Sequence, residues 1–163
     1  VRSGAITHRD STGNVGRTEA GDVQVMSAGT GVHHSEFNLE SVDTTLYQIW
    51  IEPNKLGVAP SWAAHAFPKQ AAEEGLPLLV SGDGRAPLQI HQDAEIYGGQ
   101  LQAEQTIVHP IKRQAYVLIS RGSVSINNLV LTQGDGLEVT DEEALTLTAR
   151  EDSEIVVIDV PKH

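Results

Sequence analysis

The sequence of 163 residues predicts an all-β protein, and three observations support this prediction. Short runs of β-branched or alternating apolar residues follow one another along the chain, separated by Gly, Asn and Asp. Helical patterns are scarce. Turn sequences such as DSTGN at 10–14 and the pair Asn127 and Asn128 are typical of hairpins. Together these features favour an antiparallel sandwich or barrel.

The predicted elements follow in chain order. The strand patterns are GAITHRD, VQVM, TLYQIWIE, LQIHQD, AYVLIS, SVSINN, LVLT, LTLTA and EIVVIDV. A short helix is predicted at 68–75 (PKQAAEEG), because Pro opens this segment, Gly closes it and helix formers lie between them.

A faint internal repeat indicates two related β units. SGAIT at 3–7 and AGDVQV at 20–25 match RGSVSI at 121–126 and QGDGLEV at 133–139, so that each copy is a hairpin followed by Gly-Asp and another strand. Several predicted strands precede the second copy, whereas the first copy begins almost at Val1. We therefore expect a partial N-terminal unit at 1–52, a connector at 53–75 and a complete barrel at 76–163, with the natural N-terminus lying upstream.

The composition excludes several functions. The formal charge is -11, from 22 acidic against 11 basic residues, and such a surface repels nucleic acid. The absence of cysteine excludes disulfides and thiolate catalysis, so that a metal would be held by His, Asp or Glu. Those ligands favour iron, manganese, zinc, nickel or copper. No apolar run is long enough to span a bilayer, and we expect a cytoplasmic protein.

The segment GTGVHHSEFN at 29–38 carries the densest group of metal-ligating side chains. Alternate residues of a strand share a face, so His34 and Glu36 point one way and His33 points the other. Gly29 and Gly31 allow a tight turn before the strand. The spacing alone leaves two interpretations open: a hydrogen-bonded surface His–Glu pair, or two ligands of one ion.

The remaining histidines and acidic residues have simpler interpretations. His8 is predicted to be a polar surface residue beside a turn, and His91 a hydrogen-bonded structural residue of a strand. Three others are interpreted as solvated loop residues: His65, His109 and His163. At the place in the second unit that corresponds to GVHHSEFN, the sequence reads TDEEA and has no histidine. Its acidic residues are interpreted as a solvated turn: Asp141, Glu142 and Glu143.

Several motifs resemble those of the pirin family of double-cupin proteins. GVHHSEFN at 31–38 fits the second cupin motif, Gly-x-x-His-x-x-x-Asn, although Gly29 replaces the usual Pro. HRDSTGN, GDVQVMSAGTGVHHSEFN and LYQIWIEP resemble pirins more narrowly, and the similarity extends over essentially the whole chain. It implies a cupin fold with one complete C-terminal barrel and an incomplete N-terminal sheet.

The resemblance also implies roles for individual residues. His34 and Glu36 match two of the four pirin metal ligands, and Glu36 would be a ligand or base in an active enzyme. The other two ligands come from a His-x-His motif upstream of a Gly that matches Gly4, and this sequence does not contain that motif. The resemblance therefore implies iron or another divalent transition metal that is weakly bound or absent, because catalytic sites normally hold three or more protein ligands.

Two functions follow as hypotheses. The first is a truncated pirin-like protein with a degraded metal site that acts as a non-catalytic binding, interaction or oligomeric module. Its expected partners are another protein or a second copy of itself, since exposed strand edges in 3–52 favour a dimer. The alternative is a metal-dependent dioxygenase of the quercetinase type, whose site is completed by another chain or by upstream residues.

Overall fold

The protein is described by a computed structural model over residues 1–67 and 69–162. The regular secondary structure of these residues consists of strands, with no helix, which confirms the all-β prediction. The first strands are β1 (Ala5–Asp10), β2 (Val15–Glu19), β3 (Val23–Ser27), β4 (His34–Phe37), β5 (Ser61–His65), β6 (Leu78–Ser81) and β7 (Leu88–Gln89). The later strands are β8 (Glu95–Leu101), β9 (Thr106–Pro110), β10 (Gln114–Arg121), β11 (Ser123–Ile126), β12 (Leu129–Thr132), β13 (Gly136–Val139), β14 (Ala144–Ala149) and β15 (Ser153–Val160).

The chain folds as two compact units. The first consists of 1–67 together with 81–92, and the second of 69–80 together with 93–162. None of the described residues belongs to a helix that could cross a membrane.

The second unit contains the larger hydrophobic core. Its strands lie in two groups, in the orders β13-β10-β15-β8-β6 and β12-β11-β14-β9. The pairs from β13 to β8 and those of the second group are antiparallel. Alternate side chains of β14 and β15 are buried, as the period of two predicts for strands with one face on a core. The core is aliphatic and includes Leu101, Val117, Ile119, Ile126, Leu145, Leu147, Ile155 and Val157. Burial of each such side chain stabilises the folded state by roughly 1.5–3 kcal/mol relative to leaving it exposed.

The first unit leaves more of its large apolar side chains exposed than the second unit does. It has one sheet in the order β2-β1-β4 and a second, antiparallel pair of β3 and β5. Ala5, Ile6 and Leu88 are buried, but many large apolar residues remain exposed, among them Phe37, Leu39, Val42, Ile49, Trp50 and Leu56. Within the described part of the chain, the strand pattern TLYQIWIE is paired only at its start, by a single antiparallel bridge between Ser3 and Thr45.

Two glycines show the internal repeat in three dimensions. Gly4 has φ +66°, and a Cβ there would lie 2.7 Å from Thr44 Oγ1 and 2.9 Å from the Asp43 carbonyl oxygen. Gly122 has φ +82°, and a Cβ there would lie 2.4 Å from Ser153 Oγ and 2.6 Å from the Asp152 carbonyl oxygen. The hairpins that follow also correspond, because β1 lies between β2 and β4 as β11 lies between β12 and β14.

The helix predicted at 68–75 is wrong for the residues that the structure describes, 69–75; Pro68 lies outside them. The Ala72 amide donates to the Gln100 carbonyl at 2.8 Å, and Ala71 forms a parallel bridge with Gln100. The segment therefore pairs with β8, and this tertiary pairing overrides the local helical propensity. The segment interpreted as a connector, 53–75, contains β5.

Candidate functional site

Strands β1 and β4 place four polar side chains on one face. Their antiparallel register sets His8 opposite Glu36 and Asp10 opposite His34. Directly opposed residues share a face, and so do residues two apart on one strand. His34 and Glu36 therefore lie together on the exposed strand β4, beside His8 and Asp10 of β1.

The turn before β4 depends on glycine. Gly29 and Gly31 have φ of +54° and +127°, in the region that favours residues without a Cβ. A Cβ at Gly29 would lie 2.3 Å from the Val58 carbonyl oxygen, so this backbone approach requires glycine. The two glycines thus direct the chain into β4, as the sequence indicates.

His8 is a buried member of this group, and the prediction of a surface residue is wrong. Its relative exposure is 1%, and its Nε2–H donates to Asp10 Oδ2 at 2.9 Å. Asp10 also accepts hydrogen bonds from Thr12 and Asn14 of the following turn. The His8 hydrogen bond, followed by those from Thr12 and Asn14, holds the pKa of the Asp10 carboxyl well below its usual range. Asp10 is therefore a carboxylate that fixes both the turn and the His8 ring.

Three rings form a stack through the site. The His8 imidazole lies parallel to the Trp62 indole, with centroids 4.8 Å apart and an interplanar angle of 7°. The His34 ring also stacks on His8, at 5.7 Å and 22°. The indole covers Gly16 as well, where a Cβ would lie 2.0 Å from Trp62 Cη2. The stack restricts the orientation of His34, although that side chain is exposed.

Glu36 is held by a second polar contact. Gln24 of β3 donates its Nε2–H to Glu36 Oε1. The buried Thr18 of β2 donates its hydroxyl to Gln24 Oε1 at 2.9 Å. Sequence reasoning did not select Thr18, Gln24 or Trp62, because their contacts arise between strands that are distant in sequence.

His33 precedes β4 and is exposed. Its backbone amide donates to Ser11 Oγ at 3.1 Å, and its carbonyl accepts from the Ser11 amide at 2.8 Å. These bonds join the turn after β1 to the start of β4. A shallow depression at this point is lined by Arg9, Asp10, Ser11, His33, His34 and Ser35.

The other histidines lie outside this group. His65 is exposed, as predicted, but it ends β5, so the prediction of a loop residue is wrong. Its ring meets Phe67 edge-on at 4.8 Å. His91 is half-buried and follows β7 as a bend, so the prediction that it lies within a strand is wrong. His163 lies outside the described residues.

His109 is a buried residue of β9, so the prediction of a solvated loop residue is wrong. Its relative exposure is 2%, and its ring meets Tyr97 edge-on at 4.6 Å. Nε2 is buried without a hydrogen-bond partner among the described residues. Burial lowers the pKa of His109, and the nearby carboxylates of Asp159 and Glu95 oppose this effect. The two-residue period of a strand places His109 on the same face as the buried Ile107, and this could have indicated its burial.

The acidic turn of the second unit is exposed, as predicted. Asp141 has φ +59°, and Lys162 Nζ lies 2.7 Å from its carboxylate. This ion pair lowers the pKa of Asp141.

The donor types of His34 and Glu36 suit a divalent transition metal, because imidazole nitrogen and carboxylate oxygen are both common ligands. Both side chains are exposed and neighbouring. Within residues 1–67 and 69–162, no group of three or more His, Asp or Glu side chains could hold an ion, and His8 Nε2 is occupied by Asp10. His34 and Glu36 therefore fit a metal site as two ligands out of the three or more that such a site normally has.

Comparison with known proteins gives two family matches. The family described as "Pirin" matches residues 1–51, and the one described as "Quercetinase C-terminal cupin domain" matches residues 78–160. A "Pirin-like protein" of Caulobacter vibrioides is 45% identical over 163 residues, which cover 98% of this chain and 70% of that protein. "Quercetin 2,3-dioxygenase" of Escherichia coli strain K12 is 39% identical over 165 residues, which cover 99% of this chain and 70% of the relative.

A solved structure is similar over the same span. The crystal structure of the bacterial pirin YhhW from Escherichia coli, in complex with nickel(II), superposes with a TM-score of 0.86 at 38% identity. The match covers 99% of this chain and 70% of that one. This likeness confirms the cupin fold that the motifs indicate.

Proposed function

The chain belongs to the pirin family, and we propose that its first unit supplies two ligands, His34 and Glu36, to a divalent-metal site. By itself the chain is a weak metal-binding and interaction module rather than a dioxygenase. The observation that carries this proposal is the placement of an imidazole and a carboxylate two residues apart on the exposed strand β4. Both are restrained by neighbours, His34 by the His8 ring and Glu36 by Gln24.

The strength of binding follows from the number of ligands. A site with two protein ligands leaves most of the coordination sphere to water, whereas catalytic metal sites normally use three or more. A His and Glu pair does not select among divalent transition metals, so iron, nickel and similar ions all suit the site. A bound ion would supply Lewis-acid chemistry, polarising oxygen atoms of a molecule that enters the site.

The second candidate function is metal-dependent dioxygenation of a flavonol such as quercetin. The name of the Escherichia coli relative, quercetin 2,3-dioxygenase, favours it, at 39% identity over 165 residues. In this case two further ligands come from another chain or from residues beyond this sequence. Glu36 would then either bind the metal or accept a proton from the substrate, since its carboxylate faces solvent on the strand.

Nickel(II) titration by calorimetry tests the proposal. We expect weak binding to the wild-type chain, loss of binding in His34→Ala and Glu36→Gln, and unchanged binding in the control His33→Ala. Equal binding to wild type and His34→Ala would contradict it. Oxygen consumption with quercetin and iron(II) or nickel(II) decides between the two functions: turnover that His34→Ala abolishes would establish the dioxygenase and overturn the non-catalytic role.

A further inference from the structure

We infer that Gln24 is a positioning residue for Glu36, and that the buried hydroxyl of Thr18 anchors the Gln24 side chain in place. The three side chains form one relay: Thr18 Oγ1–H donates to Gln24 Oε1, and Gln24 Nε2–H donates to Glu36 Oε1. The inference rests on the proposed function, because Glu36 is one of the two ligands.

The relay begins in a fixed place. Thr18 lies on β2 with a relative exposure of 1%, and β2 is paired with β1 from Ala5 to Arg9. A threonine side chain has few rotamers. Its hydroxyl therefore presents a donor at one position, at 2.9 Å from Gln24 Oε1.

The orientation of the amide follows from the Glu36 carboxylate, which can only accept hydrogen bonds. A glutamine amide has an acceptor oxygen on one side and a donor nitrogen on the other. Because the Glu36 carboxylate requires a donor, the amide nitrogen points toward Glu36, and the amide oxygen is left to accept from the Thr18 hydroxyl. The reverse orientation would place the amide oxygen against the carboxylate, where the two acceptors repel one another.

This arrangement restrains the Glu36 carboxylate through one of its oxygens. The amide nitrogen donates to Oε1 and so holds the Glu36 carboxylate in one orientation, with Oε2 outside this hydrogen bond. Hydrogen bonding to a ligating carboxylate is a common outer-shell device, and its loss typically lowers metal affinity by about 10–100-fold. Gln24 is half-buried on β3, which limits its alternative rotamers.

The His34 side of the site is restrained independently. The His8 ring stacks on His34, and Trp62 stacks on His8, so this restraint acts through ring contacts rather than through the Gln24 amide. Substitution of Thr18 or Gln24 should therefore change the orientation of the Glu36 carboxylate and leave the ring stack in place. This separation permits a matched set of variants.

The test compares Thr18→Val with Thr18→Ser. Valine has the shape of threonine without the donor, whereas serine keeps the hydroxyl. In the metal-free chain, we expect the NMR signal of the Gln24 side-chain amide to shift in Thr18→Val and in Glu36→Gln, and to stay near its wild-type position in Thr18→Ser. Circular dichroism and thermal melting confirm that each variant is folded.

The same variants are then titrated with nickel(II). We expect Thr18→Val and Gln24→Leu to bind about 10–100-fold more weakly than wild type, and Thr18→Ser to retain the affinity. Wild-type affinity in a folded Thr18→Val or Gln24→Leu variant would overturn the positioning role. If the wild-type chain binds no nickel, the proposed function fails, and an unshifted amide signal in Glu36→Gln would overturn the relay itself.

Discussion

The imidazole of His8 lies flat against the indole of Trp62, with centroids 4.8 Å apart and planes 7° from parallel. Trp62 comes from β5, in a segment whose sequence suggests a connector, whereas His8 comes from β1. The contact joins the sheet containing β1 and β4 to the pair formed by β3 and β5, and so it holds the two sheets of the first unit together at the candidate metal site.

Replacement of Trp62 tests this role. Trp62→Ala removes the stacked ring and uncovers His8, and we expect the free energy of unfolding of the first unit to fall by about 2 kcal/mol. Trp62→Phe keeps an aromatic face and should lose less. Hydrogen exchange of the β1 amides is the appropriate measurement because it reports local opening. Equal exchange in wild type and Trp62→Ala would contradict a stabilising stack.

Substitution of Gly4 tests the close backbone approach at the start of the first repeat. Gly4→Ala combines a positive φ with close contacts to Thr44 and Asp43, so we expect a loss of about 2–3 kcal/mol in urea unfolding. Gly13→Ala is the matched control, since Gly13 has φ +94° and no atom within 4 Å of the position that a Cβ would occupy. It should lose only about 1 kcal/mol, the cost of the left-handed backbone. Equal losses would show that the contacts at Gly4 contribute nothing.

His109 predicts a pH dependence of the second unit. Burial lowers its pKa in the folded state, whereas in the unfolded chain it titrates near 6.5. Below that pH the unfolded state binds more protons, so the stability contributed by neutral His109 is lost as the pH falls from about 6.5 toward the folded-state pKa. His109→Phe keeps an aromatic ring beside Tyr97 and removes the titration. As the pH falls from about 7.5 to about 5, the unfolding free energy of the wild type should therefore decrease relative to that of the variant. An unchanged difference between the two would contradict this role of His109.

The exposed apolar segment at 46–51 leads us to propose self-association. Trp50 is 87% exposed, and Leu46, Tyr47 and Ile49 are also exposed on a stretch with the pattern of a strand. Because unpaired strands are templates for pairing with another chain, we expect a dimer at micromolar concentration in light scattering. Trp50→Glu should shift the population toward monomer. A wild-type monomer under these conditions would contradict the proposal.

The sequence predicts the repeated hairpin and its glycines well, because turn chemistry and backbone conformation are local properties. It also places His34 and Glu36 on one strand through the two-residue period. It fails for His8 and His109, whose burial depends on rings brought from other strands, Trp62 and Tyr97. The helix predicted at 68–75 fails over the described residues 69–75 for the same reason, since pairing of Ala71 and Ala72 with Gln100 is a tertiary contact.

Paramagnetic NMR with nickel(II) tests the central claim most directly. The ion broadens signals of nearby residues, so a titration of the isotopically labelled chain locates the binding site without any assumption about activity. We predict that broadening begins at His34 and Glu36, spreads to Gln24 and His8, and disappears in His34→Ala. Broadening centred elsewhere, or unchanged in that variant, would contradict a metal site formed by these two ligands.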